Sequence, residues 1–430
     1  MADALIVGAP ASGTGKTLVT LALLRALRKS GVSVSSAKVG PDYIDPRFHE
    51  AATGGACVNL DQWAMRPHYM ENLVQAASHD TDLLIIEGVM GLFDAAEDGR
   101  GSTADLAQHL KLPVILIVDA SRQSHSVGAL VHGFASYRKG VNIAGVIVNR
   151  VGSERHAGLL RRAVPSDLYL GAIPRLPALE LPSRHLGLMQ ASELDGLEEF
   201  IGQAADIIGR SVDLERLRAA ASPLPGARAA VLPLRPLGQT IAVAHDAAFG
   251  FTYRHILEGW AAQGAEIRFF SPLADQAPQP DADAIFLPGG YPELHAGRLS
   301  TNSRFLDGLL QAAGRGKLIY GECGGFMVLG RLLIDAKGKA HPMAALLPHS
   351  TSFAAPKLTV GYRQLRHRSP LAFSGRLRGH EFHYSSLAEP SGGEPLFDMR
   401  DSLGEPLEPS GLRIGRVMGS YVHVIDSGEA

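Results

Sequence analysis

The sequence predicts two α/β domains in tandem, the first a doubly wound parallel sheet, and three observations carry that expectation. Short apolar runs alternate with longer helical patterns through the first half of the 430 residues. Near residue 210 the alternation stops, and "SPLPGARAAVLPLRPLG" (222–238) is rich in Pro, Ala and Arg without a stable period. Beyond it, strand and helix patterns resume. A chain of this length, 46% hydrophobic, exceeds one ordinary core and divides into domains. The expected organisation is a first domain over 1–210, a linker over 211–238 and a second domain over 239–430.

The elements follow in order. "ALIVGA" is apolar on both faces, as a central parallel strand must be, and a helix runs from Leu18 to Lys29. "VSVSSAKVG", "DLLIIEG", "PVILIVDA", "IAGVIVN" and "LYLGAIP" repeat the strand signal between helical stretches. In the second half "TIAVAHD", "EIRFFSP", "AIFLPGG" and "KLIYGECGG" do the same, with "GLRIGRVMGSYVHVI" expected to close that sheet.

Composition narrows the function. With 41 basic and 43 acidic residues the formal charge is −2, so no field is built to recruit nucleic acid or an anionic membrane, and a small-molecule task is favoured. Cys57 and Cys323 stand far apart in unlike contexts, which argues for a reducing compartment rather than a disulfide framework. "MADALIVGAP" has no basic leader and no long apolar run occurs, so the expected location is the cytoplasm.

"ALIVGAPASGTGKTLVTLALLRAL" sets a strand, a glycine turn and an amphipathic helix in the order of a phosphate-binding loop. Gly13, Thr14 and Gly15 present backbone N–H groups, Lys16 reaches the β and γ phosphates, and Thr17 reaches Mg²⁺. Pro10 stands where the strict G-x-x-x-x-G-K-[ST] pattern has its first glycine. The loop resembles the dethiobiotin synthetase and partition-ATPase branch of these proteins. Magnesium takes hard oxygen ligands, and "KVGPDYIDP" and "IIEGVMGLFD" supply Lys38, Asp42, Asp45, Glu87 and Asp94 after strands. Glu87, directly after "LLII", is the leading metal candidate, with Thr17, Asp42 and Asp45 beside it.

The second chemical signal is Gly321-Glu322-Cys323-Gly324-Gly325, a strand, a permissive turn and a following helix. That is a nucleophile elbow with Cys in the Ser position, where a helix N-terminus would favour thiolate. Gly289 and Gly290 in "FLPGGYPE" are the expected oxyanion donors. The base is one of three histidines, His380, His383 or His423. Cys57 has no elbow and is expected to be structural.

"GPDYIDP", "NLDQW", "EGVMGLFD", "GSTADLA", "LPSRHLGL", "IAVAHDAAF", "LPGGYPEL", "ECGGFMVLG", "GYR" and "GHEFHYS" together resemble the cobyrinic or hydrogenobyrinic acid a,c-diamide synthases of cobalamin biosynthesis along nearly the whole chain. The resemblance implies a dethiobiotin-synthetase-like ATPase joined to a class I glutamine amidotransferase. It selects His423, in "SYVH", as the base for Cys323, while Ile425 stands where many class I amidotransferases carry Glu. Asp426 is an imperfect substitute, and a Cys323/His423 dyad is the expectation. It further implies Lys16 and Lys38 at a reacting phosphoryl group, Asn149 and Pro174 at adenine, and Tyr43, Ile44 and Asp94 at the substrate. Arg184, His185 and Arg363 are candidates to pair with carboxylates of the macrocycle. The implied reactants are ATP, Mg²⁺, L-glutamine or ammonia, and a corrinoid or other tetrapyrrole polycarboxylate, with a homodimer left open. Two close readings, a nickel-sirohydrochlorin a,c-diamide synthase and a cobyric acid synthase, share most motifs. A partition-type nucleotide switch with an inert amidotransferase-like module is the rival from another class.

Overall fold

The computed structural model describes residues 2–175, 183–184, 187–188, 190–226, 230–388 and 392–428. The chain forms two compact units, one comprising 1–63 and 67–231, the other 64–66 and 232–430.

The first unit is built on a parallel sheet. In spatial order its strands are Cys57–Leu60, Val34–Val39, Leu83–Glu87, Asp3–Gly8, Val114–Asp119, Ile143–Val151 and Tyr169–Pro174. All pairs along this order are parallel. Leu5, Ile6, Ile85, Ile86, Ile115 and Ile117 are fully buried, which is why these strands read as continuous apolar runs rather than alternations. The helix Lys16–Lys29 buries Leu21, Leu23, Leu24 and Leu27 in the core. The helix Leu197–Ser211 adds Ile201, Ala204, Ala205 and Ile208 to the same core. Within 211–238 the chain forms a helix, Leu214–Ala219, and a two-residue strand, Ser222–Pro223, which pairs with Asp3 and Ala4. The division between the units falls after Val231.

The second unit has a six-stranded sheet in the order Glu266–Phe270, Thr240–Ala244, Ala284–Leu287, Leu318–Glu322, Val417–Ser420, Leu412–Ile414. Only the last pairs antiparallel. The C-terminal stretch does not close this sheet in one run. It leaves at Ser420, whose Oγ accepts from Val422 N at 3.2 Å. It then re-enters as His423–Ser427 at the edge of a separate antiparallel sheet of Pro406–Ser410, Phe397–Arg400, Thr359–Arg366, Arg376–His383 and His423–Ser427. His423 therefore starts a strand of one sheet while Cys323 follows the end of a strand in another.

Candidate active sites

In the first unit the loop after Asp3–Gly8 turns at Gly13 (φ 78°) and Gly15 (φ 86°), conformations that suit glycine. A Cβ on Gly15 would come within 2.5 Å of Asn149 Nδ2. That amide nitrogen donates to Thr14 O at 2.9 Å, and Asn149 Oδ1 accepts from Arg150 N at 2.9 Å. Asn149, expected at adenine, thus braces the phosphate loop from the next strand but one. Pro174 ends its strand and lines a cavity of about 890 Å³ with Val151, Tyr169, Arg161 and Arg210.

Lys16 and Lys38 meet at the carboxyl end of the Leu83–Glu87 strand. Lys16 Nζ donates to Gly88 O and lies 3.6 Å from Glu87 Oε1. Lys38 Nζ donates to Asp45 Oδ2 at 2.5 Å and Glu87 Oε1 at 2.9 Å, with Asp42 Oδ2 at 3.8 Å. Thr17 Oγ1 donates to Glu87 Oε1 at 2.6 Å and lies 3.2 Å from Asp45 Oδ2. Gly88 is set by Thr103, whose Oγ1 accepts from Val89 N at 3.0 Å at the head of the helix Thr103–Leu110. That helix begins in a Ser102/Asp105 capping box, the physical content of "GSTADLA".

Charge is balanced inside this cluster. Burial alone would lower the Lys38 ammonium, but Asp45, Glu87 and Asp42 raise it above its usual value. Lys16 is lowered, by burial and by Lys38. Burial and Asp42 push Asp45 up to about 6. Burial opposes ionisation of Glu87, yet Lys38, Lys16 and His49 hold it well below 4.5. Among the described residues no group of three or more His, Cys, Asp or Glu side chains is placed to hold a metal unaided. The Thr17 hydroxyl with Asp45 and Glu87 is nevertheless a hard-oxygen set of the kind Mg²⁺ takes alongside phosphate oxygens and water.

Two contacts here were not foreseen. His49 Nε2 lies 2.5 Å from Glu87 Oε2, and Cys57 Sγ lies 3.5 Å from His49 Nδ1, with both histidine and glutamate fully buried. Cys57 stays inside the core, and through His49 it backs the Glu87 carboxylate. Asp42 Oδ1 accepts from Ile44 N and Asp45 N, both at 2.9 Å, and so shapes the turn that carries Tyr43 and Ile44. Both of these are half-buried, and Ile44 packs on the core. Asp94 accepts from Gly91 N at 2.8 Å, outside the lysine cluster.

In the second unit Cys323 has φ 46° and ψ −105°, and the helix Gly324–Leu329 begins directly after it. Its N–H donates to Ser420 O at 2.8 Å. A Cβ on Gly325 would overlap the carbonyl of Leu287, and one on Gly290 the carbonyl of Ala248. A Cβ on Gly289 would overlap His423 Cε1, 3.1 Å from its Nε2 and 3.2 Å from Cys323 Cβ. Gly289, Cys323 and the Nε2 edge of His423 therefore share one small space.

The other two histidines sit close by. His380 is the cross-strand partner of His423. His383 stacks on Tyr421 at 3.8 Å, its Nδ1 donating to Ser385 O at 2.9 Å. Burial lowers all three imidazoles, His380 and His423 to about 3, so each is neutral near pH 7. The thiol departs from expectation. Burial, Glu293, Glu322 and Glu381 raise it above its usual value, and the Gly324 N–H offsets only part of this.

Asp426 does not face the histidine. Its Oδ2 accepts from Arg66 N and Nε at 2.9 Å and its Oδ1 from Arg66 Nη2 at 2.8 Å. The carboxylate beside His423 is Glu322, with Oε2 3.7 Å from Nδ1. Burial raises Glu322 to about 8, against donors from Val424 N and the Tyr320 hydroxyl. Arg363 donates through Nε to Glu381 at 2.6 Å. His185 and the side chain of Arg184 lie outside the described residues.

Two family models match the chain: a CobQ/CobB/MinD/ParA nucleotide binding domain over 5–188 and a CobB/CobQ-like glutamine amidotransferase domain over 240–430. Among similar proteins, hydrogenobyrinate a,c-diamide synthase of Brucella abortus biovar 1 (strain 9-941) is 55% identical over 99% of both chains. The protein of that name from Rhizobium meliloti (strain 1021) is 52% identical over 99% of this chain and all of its own. The one from Mesorhizobium japonicum is 50% identical over 99% of this chain and 98% of its own. With an amidotransferase model over the Cys323 unit, a nucleotide-binding model over the Lys16 unit and this identity along its whole length, the chain belongs to the hydrogenobyrinate a,c-diamide synthases.

Proposed function

We propose that the protein converts the a and c carboxylates of hydrogenobyrinate to amides, using ATP with Mg²⁺ for activation and glutamine or free ammonia for nitrogen. The observation that carries this reading is the 55% identity, over 99% of both chains, to a relative of that name.

The geometry supports a division of labour. At the second unit Cys323 adds to the side-chain amide carbon of glutamine, its proton passing to His423 Nε2, and the oxyanion forms beside the Gly289 and Gly290 backbone. The imidazolium returns the proton to the leaving nitrogen as ammonia, and water then splits the thioester to glutamate, restoring the thiol. At the first unit the Gly13–Thr17 loop orients ATP, and a substrate carboxylate oxygen takes the γ-phosphoryl group to give an acyl phosphate and ADP. Ammonia adds to the acyl carbon and phosphate leaves. Thr17 with Glu87 and Asp45 would hold Mg²⁺, which would supply charge neutralisation at the phosphate oxygens. Lys16 and Lys38 bring ammonium groups to the same place, and Lys38 also keeps Asp45 and Glu87 aligned. Tyr43 and Ile44, on the turn shaped by Asp42, meet the macrocycle.

The test compares nitrogen donors. Cys323→Ser is expected to lose amidation with glutamine and keep it with ammonium salt. Lys16→Ala is expected to lose roughly 10²-fold or more with both donors, the scale of removing a group that stabilises developing charge. The mass of hydrogenobyrinate, which falls slightly with each –OH replaced by –NH2, reads all four combinations. A Cys323→Ser protein inactive with ammonium as well would sink the two-centre reading.

A further inference from the structure

We infer that Glu322, the residue immediately before the nucleophile, is the carboxylate that positions His423, completing a Cys–His–Glu arrangement in which the acid comes from the thiol's strand. The inference rests on the glutaminase reading of Cys323 and His423 and deepens it.

The histidine's own strand offers no such group. Position 425 is Ile, fully buried, with its carbonyl oxygen 2.9 Å from His255 Nε2. Asp426 spends both oxygens on three donors of Arg66. Glu322 is 4% exposed and is held from two directions. Its Oε1 accepts from the Tyr320 hydroxyl at 2.9 Å, two residues back on its own strand. The same oxygen accepts from Val424 N at 3.1 Å, the residue directly after the histidine. The carboxylate is thereby tied to the backbone that carries the imidazole, and its remaining oxygen lies 3.7 Å from Nδ1.

The ring stands between acid and nucleophile. Its Nδ1 edge faces Glu322, while Nε2 and Cε1 face the space shared by Gly289 and Cys323 Cβ. A carboxyl at Nδ1 fixes the ring so that Nε2 is the atom that accepts the thiol proton, and in its ionised form it stabilises the imidazolium that follows. At 3.7 Å the carboxyl and the ring are close without forming a hydrogen bond, and such contacts shorten when substrate binds. No bond is made to Glu322 in this role. It holds a ring and balances a charge.

Full-length Glu322→Gln keeps an oxygen for the Tyr320 and Val424 donors and removes the capacity to ionise. The expected result is a fall of about 10²-fold in kcat for glutamine hydrolysis, with KM for glutamine within about twofold. A merely structural residue would not split the two constants in this way. Amidation with ammonium salt should stay near wild type, and a melting transition of the amidotransferase unit no lower than in wild type serves as the folding control. Should that control fail, Tyr320→Phe replaces the test. It removes only the hydroxyl that holds Oε1, and a several-fold loss in kcat at constant KM is expected. Wild-type kcat in a folded Glu322→Gln protein, or in Tyr320→Phe where that control fails, overturns the inference. The outcome is distinct from failure of the glutaminase reading, in which Cys323→Ser would itself still hydrolyse glutamine.

Discussion

At the scale of single residues, Glu322 creates a conflict between folding and ionisation that can be measured. Burial raises its folded value to about 8 from the usual 4.5. Below 4.5 the folded and unfolded chains both hold the proton. Between 4.5 and 8 the unfolded chain releases it while the folded chain keeps it, so stability falls as pH rises through this window and levels off above it. His423 and His380, held to about 3 in the folded chain against 6.5 when unfolded, push stability the other way below 6.5, but they do so alike in wild type and Glu322→Gln and cancel in the difference. Glu322→Gln should therefore gain stability relative to wild type between pH 5 and 8, on the scale of about 1.4 kcal/mol per tenfold change in proton affinity. Thermal melting at the two pH values reads it, and a constant difference would contradict the burial argument. Lys16 and Cys323 were legible because each sits in a local motif with its own backbone logic. Glu322 was not, because its partners Val424 and His423 come from the far end of the chain. His49 was hidden for the same reason, its carboxylate partner lying two strands away.

At the scale of elements, the turn at Cys323 holds a non-glycine residue at φ 46°, where a Cβ is strained. Replacing the thiol by Gly removes both Sγ and Cβ, whereas Ala removes Sγ alone. Cys323→Gly is accordingly expected to be more stable than Cys323→Ala by about 1 kcal/mol, both being inactive with glutamine. Melting of the two variants side by side checks this, and equal or reversed stability would mean that the turn is relaxed. The parallel strands were readable because burial on both faces leaves continuous apolar runs such as Leu83–Ile86. Cys57–Leu60 is too short to give such a run. The antiparallel strands over 359–410 alternate with exposed residues such as Arg366, Arg376 and Arg400, and their short polar pattern resembles loop. The sheet change after Ser420 depends on a side chain bonding its own turn, which periodicity does not register.

At the scale of the whole molecule, each unit has its own interior. Leu5, Leu21, Ile85 and Ile117 belong to one, and Phe249, Phe305, Ile319 and Phe326 to the other. Ligands that act on one centre should stabilise that interior selectively. ATP with Mg²⁺ at about 100 times its dissociation constant is expected to add roughly 2.7 kcal/mol to the nucleotide-binding unit. A glutamine analogue that alkylates Cys323 should raise the other transition instead. Scanning calorimetry of the full chain distinguishes them, and one transition raised equally by both would show a single cooperative block. The two-unit plan was legible from the strand and helix patterns that resume after 238, whereas the break in alternation near residue 210 lies inside the first unit, which runs to Val231. The helix Leu214–Ala219 and the pairing of Ser222–Pro223 with the first strand carry too few residues to announce themselves.

Glu322 and Cys323 are consecutive in the chain, so the spacing between acid and nucleophile is set by covalent geometry and holds for as long as the peptide does. Assembly error enters instead at a joint between distant parts of the chain, the seating of the His423–Ser427 strand against the end of Leu318–Glu322. Wear on that joint, whether from heat, denaturant or drift in sequence, would cost glutaminase turnover before it cost anything else, leaving a synthase that still works on dissolved ammonia.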